Sequence, residues 1–308
     1  MYRFMKTFLP QAFLKGKFIP FSEANISIAT HALHYGTGAF WGMRAFFDPE
    51  NDKEILLFRL DKHINRLLNS AKFFGYNIDF DFIKDKIIEF VKINKPTKPI
   101  YIRPLIYTSD LDIAPRLHKV EFDFLIYGLE MWEYLSSIDW ITCTISSYKR
   151  QSDVSFPLRW KISWAYITSW LAKTEAVNRW FDEAILLNDQ NKVSEWSAMN
   201  IFIVRDWKII TPWVNQDILE WITRDSIIKL SKFLWYEVEE RSVDKSELFI
   251  ACEVFLVWTA VKMTPVRKIE QYELPSNRPI FENLKLNFDK MQLWKIKEFE
   301  DFVTKIKI

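Results

Sequence analysis

Six glycines in 308 residues leave this chain few places where its backbone can turn left-handed without a steric penalty. A globular chain of this length ordinarily carries about 7% glycine, or roughly 22 residues, many of them ending helices and closing hairpins. This chain has 14 tryptophans instead, several of them where the local pattern asks for glycine. In 218-ILEWITRDSIIKLSKFLWYEVEE-240, Ile227, Leu230 and Phe233 recur at helical spacing. They predict a helix from near Thr223 to near Leu234, ahead of a strand-like YEVEE. Trp221 stands at its entry and Trp235 at its exit. Trp180 also follows a helical run, and Trp207 lies in 205-RDWK-208 between two apolar strand runs, where Asp-Gly is the favoured two-residue turn. Were every tryptophan a glycine, the glycine count would be about 20, which is ordinary usage.

Around these positions the pattern alternates strands and helices. Strands are predicted at 55–60, 99–107, 120–128, 141–147, 184–189 and 253–257, and a hairpin at 201–211. Helices are predicted through His63, Leu67, Leu68 and Ala71 up to Gly75, over 81–94, and over 165–180. This mixed order is that of an α/β or α+β protein. The more polar 131–139 divides it into a smaller domain, 1–131, an interdomain loop, 132–139, and a larger domain, 140–308.

With 42 basic and 40 acidic residues, nothing marks a nucleic-acid or anionic-membrane surface. Cys143 and Cys252 have neither disulfide-framework nor metal-ligand spacing, so no metal is expected and a reducing compartment is. No apolar run reaches the ~18 residues of a membrane span, and the basic residues of MYRFMKTFLPQAFLKGK interrupt any signal-peptide core. The expected location is the cytoplasm.

The elements most suggestive of chemistry are Lys161 in a loop before a helix, Glu195 in a Ser-Glu turn before a strand, and Thr223-Arg224 at a helix start. Taken singly, each has an ordinary reading. Lys161 is one of many lysines, Glu195 suits a solvated turn, and Thr223 suits a cap.

Their order narrows the reading. The run 195-EWSAMNIFIVRDWKIITPWVNQDILEWITR-224 resembles the class IV aminotransferase signature at Glu195, Ser197, Asn200, Ile201, Phe202, Thr211, Leu219, Ile222, Thr223 and Arg224. Trp221 departs from it, since the family has a small residue there. Four further stretches, 31-HALHYGTGAFWGMRAF-46, 57-LFRLDKHINRLLNSAK-72, 101-YIRPL-105 and 161-KISWAYITSWLAKTEA-176, resemble branched-chain aminotransferases in the same order. So does 253-EVFLVWTAVKMTPV-266.

The resemblance implies a fold type IV enzyme of two α/β domains, with pyridoxal 5'-phosphate at their junction. Its implied reaction is amino-group transfer from leucine, isoleucine or valine to 2-oxoglutarate, giving 2-oxo acids and L-glutamate. Lys161 would hold the cofactor covalently and carry the proton. Glu195 would pair with the ring nitrogen and Tyr166 with the ring hydroxyl. Arg59, Ile222, Thr223 and Thr259 would hold the phosphate. Thr259, Ala260 and Tyr101 would take the substrate α-carboxylate, Arg103 the distal carboxylate of glutamate, and Tyr35, Phe40 and Tyr134 would wall an aliphatic pocket. For these three aromatics, ordinary core packing is an equal reading. A homodimer or higher homo-oligomer is implied. D-amino-acid aminotransferase and aminodeoxychorismate lyase are the alternatives within the superfamily, and an inactive ligand-binding homologue follows if the tryptophans are real.

In these blocks Trp132, Trp140, Trp164, Trp180, Trp196, Trp207, Trp221, Trp235 and Trp258 fall where the family commonly has glycine. The simplest origin is a codon read as glycine in the source organism, a reassigned UGA, written here as tryptophan. Trp41, Trp160, Trp170, Trp213 and Trp294 sit in contexts that constrain them less, and at Trp41 the family more often has glutamate.

Overall fold

The two strands expected at 99–107 and 120–128 form the spine of one unit. The computed structural model describes residues 7–131, 140–259 and 262–308. In it the strand Ile100–Thr108 pairs antiparallel with Phe122–Glu130 along its whole length. Beyond this pair lie Met43–Asp48, Asn51–Phe58 and Val303–Lys307 on one side, and Gln11–Leu14 and Lys17–Pro20 on the other. The short strand Gly38–Phe40 also pairs with Ile100–Thr108. The helices Leu60–Phe73 and Phe80–Asn94 belong to this unit. The first buries Ile64, Leu67 and Ala71 and the second Ile83, Ile87 and Phe90, each fully buried Ile, Leu or Phe contributing about 1.5–3 kcal/mol. Asp79 starts the second helix by accepting the Phe82 N–H at 2.8 Å.

A second unit is built around a parallel pair. Ile141–Lys149 runs beside Glu183–Leu187, joined by the crossover helix Tyr166–Asn178, the kind of connection parallel strands require. The sheet continues through Lys262–Ile269, Glu253–Trp258, Asn200–Arg205, Lys208–Thr211 and Val238–Glu240. Cys143, Ile185, Val193, Ile203, Val254 and Leu256 are among its core residues. The helix Ile222–Phe233 falls where the sequence placed it. Among the described residues no helix is long and apolar enough to cross a membrane.

Residues 132–139, expected to separate the domains, lie outside the described residues. The grouping after them differs from a single domain over 140–308. Residues 140–159 and Ala165–Asp289 form the second unit, whereas Trp160–Trp164 and Lys290–Ile308 belong to the first. The cause is pairing over long sequence distances. Val303–Lys307 adds an edge strand to Asn51–Phe58, and Ile162 bridges Ala39.

Four tryptophans adopt the conformation that favours glycine. Trp180, Trp235 and Trp294 have φ of 65°, 65° and 61°. Each is followed by an N–H that reaches back five residues, Phe181 to Ala176, Tyr236 to Ser231 and Lys295 to Lys290. That is the closing bond of a Schellman cap. Gly75, with φ of 76°, makes the same cap through the bond from Tyr76 to Ala71. Asp206 and Trp207, at 49° and 64°, form the two-residue turn between Arg205 and Lys208. The same turn elsewhere uses Lys15 and Gly16. Trp180 and Trp235 are each 94% exposed and Trp207 74%, so these indoles gain little packing for a backbone strain of about 1–2 kcal/mol apiece.

Candidate active site

In the first unit the site is assembled around Lys161, which is buried. Its carbonyl accepts the Phe40 N–H at 3.1 Å, and its own N–H donates to Ser70 Oγ at 3.0 Å. Its Nζ stands 5.3 Å from the centre of the Phe40 ring. Arg59, buried at the start of the helix Leu60–Phe73, has a left-handed φ of 59°. Its guanidinium lies 3.8 Å from the Phe302 ring centre. A bulky residue in this conformation is strained, and such strain is concentrated at functional positions. His63, Arg66 and Ser70 follow Arg59 at spacings of four, three and four, on one helical face. Burial pushes His63 well below the ordinary histidine range, and the charges of Arg66, Lys161 and Arg59 push it the same way, so it stays neutral among three cations.

Tyr101 and Arg103 alternate on one face of the strand Ile100–Thr108. Arg103 Nη2 donates to the Tyr101 hydroxyl at 2.7 Å, and its guanidinium is 4.7 Å from the Phe40 ring centre. Burial raises the Tyr101 hydroxyl above its usual range, opposed by Arg103. A Cβ on Gly42 would fall 1.5 Å from Tyr101 Oη, so this position admits only glycine while the ring lies there. The structure thus brings Phe40, Tyr101, Arg103 and Lys161 together. Tyr35 instead donates its hydroxyl to the Ile113 carbonyl and packs on His31. Trp41, between Phe40 and Gly42, is wholly buried, and its indole N–H has no acceptor among the described residues.

In the second unit at least four donors converge on Glu195, which is buried. Arg150 Nη2 reaches Oε1 at 3.0 Å. Asn200 Nδ2, the Leu219 N–H and Trp221 Nε1 reach Oε2 at 3.3, 3.1 and 3.0 Å. Trp221 is also the N-cap of the helix Ile222–Phe233. That helix start carries the backbone N–H groups of Ile222 and Thr223 and the Thr223 hydroxyl, which lies 3.5 Å from the Thr259 hydroxyl. Donors of this kind at a helix N-terminus suit a phosphate. Tyr166 opens the helix Tyr166–Asn178. Tyr134 and Ala260 lie outside the described residues.

Residues 38–269 match the family described as amino-transferase class IV. The chain belongs to the class IV aminotransferases. A probable branched-chain-amino-acid aminotransferase of Synechocystis sp. is 55% identical over 302 residues, spanning 98% of this chain and 99% of the relative. The crystal structure of the Thermoproteus uzoniensis branched-chain aminotransferase with norvaline aligns with a TM-score of 0.91 at 31% identity, covering 97% of this chain and 99% of that one. The branched-chain amino acid aminotransferase of Thermobaculum terrenum, solved in its PLP-form, aligns with a TM-score of 0.92 at 28% identity, covering 98% and 99%.

Four polar residues of this aminotransferase escaped the sequence reading of its site. Arg150 meets Glu195 from 45 positions away in sequence, and no local pattern signals that pair. His63, Arg66 and Ser70 share one helical face with Arg59, and only that spacing of four, three and four could have pointed to them.

Proposed function

We infer that this aminotransferase moves the amino group of L-leucine, L-isoleucine or L-valine to 2-oxoglutarate, with pyridoxal 5'-phosphate as cofactor. The observation that carries this reading is the cluster in the first unit. There the Lys161 amine and the Arg103 guanidinium share the Phe40 ring, so an apolar wall and a cation for a distal carboxylate stand beside one lysine. Relatives and solved neighbours named for branched-chain substrates support it.

The chemistry of the assigned donors suits the cofactor, with one conflict at Glu195. Lys161 Nζ would hold it covalently, Tyr166 would bond its ring hydroxyl, and Arg59, the N–H groups of Ile222 and Thr223, and the hydroxyls of Thr223 and Thr259 would hold its phosphate. Glu195 would accept from its ring nitrogen, but the Trp221 indole takes one of the acceptor positions on that carboxylate. When bound, the cofactor supplies an electron sink for the pair left on the substrate α-carbon. Lys161 Nζ would take the proton from that carbon. Arg103 would bind the distal carboxylate of glutamate, with Tyr101 fixing its guanidinium. Tyr101, Thr259 and Ala260 would take the α-carboxylate, and Phe40 and Tyr134 would line the aliphatic side.

The second part of the reading concerns the tryptophans. Glycine stands in the natural protein at Trp132, Trp140, Trp164, Trp180, Trp196, Trp207, Trp221, Trp235 and Trp258, through a reassigned UGA codon. The geometry adds Trp294. Supporting this are the caps and turn that Gly75 and Gly16 form elsewhere in the same chain. The buried indole N–H groups of Trp41 and Trp196, which lack acceptors among the described residues, also support it for Trp196 and bring Trp41 into question. The protein acts in the cytoplasm, a location supported by its two free cysteines. It acts as a homodimer, supported by exposed Ile28, Leu33, Leu111 and Ile113 on two segments that His31 ties together.

Peptide mass spectrometry on protein from the source organism tests the decoding, which fails if tryptophan is found at 180, 207 and 235. A chain with glycine restored at these ten positions tests the reaction. L-leucine with 2-oxoglutarate should be turned over, and preference for D-alanine would overturn the substrate assignment.

A further inference from the structure

We infer that Ser70 positions Lys161 for its bond to the cofactor, an inference that rests on the cofactor reading above. Ser70 lies in the last turn of the helix Leu60–Phe73 and is completely buried. A hydroxyl there is costly unless both its roles are used, and both are. Its single proton goes to the Arg66 carbonyl at 2.8 Å, one turn back, and its oxygen accepts the Lys161 N–H at 3.0 Å. Because the hydroxyl is anchored to its own helix, its acceptor side points in a fixed direction.

The opposite side of the Lys161 backbone is held as well. Its carbonyl takes the Phe40 N–H at 3.1 Å, and the next residue, Ile162, bridges Ala39. Lys161 is therefore gripped between a helix and a strand of the first unit, although residues 140–159 before it and Ala165–Asp289 after it belong to the second. A lysine carried on so short an excursion has no helix or long strand of its own to fix it. The Ser70 bond reaches it from the helix that also carries Arg59, and so sets lysine and phosphate ligand in one frame. Alanine at 70 would leave the strand grip intact and release the helix grip.

The test compares two ligands in the glycine-restored chain. Lys161 Nζ bonds the aldehyde carbon of pyridoxal phosphate, and the aldehyde oxygen leaves as water. Pyridoxamine phosphate has no aldehyde and makes no such bond, so only the first ligand senses where the lysine stands. For Ser70→Ala, affinity for pyridoxal phosphate should fall about ten- to a hundredfold, with pyridoxamine phosphate changed by less than about twofold. Ser70→Cys, close in size and a much weaker acceptor, should show the same split to a smaller degree, and it carries the test if the alanine variant does not fold. Equal changes for both ligands would make Ser70 merely structural and overturn the inference. If the unsubstituted glycine-restored chain binds neither ligand, the cofactor reading itself fails, and this inference falls with it.

Discussion

Replacing Trp221 by glycine should release Glu195, the carboxylate proposed to pair with the cofactor ring nitrogen. A carboxylate offers about four acceptor positions, and at least four donors already surround Glu195, among them Arg150, Asn200, Leu219 and Trp221. Three of these come from parts of the protein that glycine at 221 would leave unchanged. The fourth, the indole N–H at 3.0 Å from Oε2, would compete for the same anion with the cofactor ring nitrogen assigned to it. A charge-assisted hydrogen bond regained there is worth about 1.5–3 kcal/mol, or roughly 10- to 150-fold in affinity. The same indole is buried, so removing it also opens a cavity, and the cofactor-free protein should lose stability, by up to about 3–5 kcal/mol if nothing collapses into the space. The two effects have opposite signs, which makes the comparison informative. In a background with glycine at 180, 207, 235 and 294, Trp221→Gly should lower the melting temperature without cofactor while tightening pyridoxamine phosphate, followed by absorbance titration. Unchanged or weaker binding would refute the claim that the indole blocks Glu195.

Four further outcomes are expected. Glycine at 180, 207, 235 and 294 should raise stability toward urea, by about 1–2 kcal/mol at each site that sheds a strained left-handed side chain; a loss would show that the indoles pack usefully. Lys161→Ala should abolish both transamination and the visible absorbance of lysine-bound cofactor, and retention of that band would assign the bond to another residue. Glu195→Gln should slow turnover by at least ~10²-fold while the phosphate contacts still retain cofactor, measured as kcat beside a binding isotherm. Arg103→Ala should cost glutamate and 2-oxoglutarate about 1.5–3 kcal/mol in kcat/KM and leucine much less. Equal losses would move Arg103 to the α-carboxylate.

The long amphipathic helices were legible because their apolar residues recur within a single window. Ile64, Leu67 and Ala71, or Ile83, Ile87 and Phe90, carry their own periodicity. The hairpin at Arg205–Lys208 and the helix entered at Trp221 were legible for the same local reason. The helix Pro279–Gln292 was missed although Ile280, Phe281, Leu284, Phe288 and Met291 give it a buried face. The strand Val303–Lys307 could not be recognised locally, since it gains its place only by pairing with Asn51–Phe58. Within the site, Lys161, Arg59 and Glu195 were named from family motifs, whereas Arg150 and Ser70 are defined by partners 45 and 91 residues away. Trp294 shows the limit in the other direction. Its surroundings looked permissive in sequence, and only the bond from Lys295 to Lys290 reveals a helix cap.

The edge strand Val303–Lys307 also bears on how the protein is made. Asn51–Phe58 leaves the ribosome well before its outer partner Val303–Lys307, and the segment that carries Lys161 emerges between them. The first unit therefore cannot finish folding until Val303–Lys307 has emerged, and one row of backbone hydrogen-bonding groups on Asn51–Phe58 stays open until then. The second unit, drawn from residues 140–159 and Ala165–Asp289, has all its strands before the first has its last. For this chain, order of emergence and order of completion are reversed.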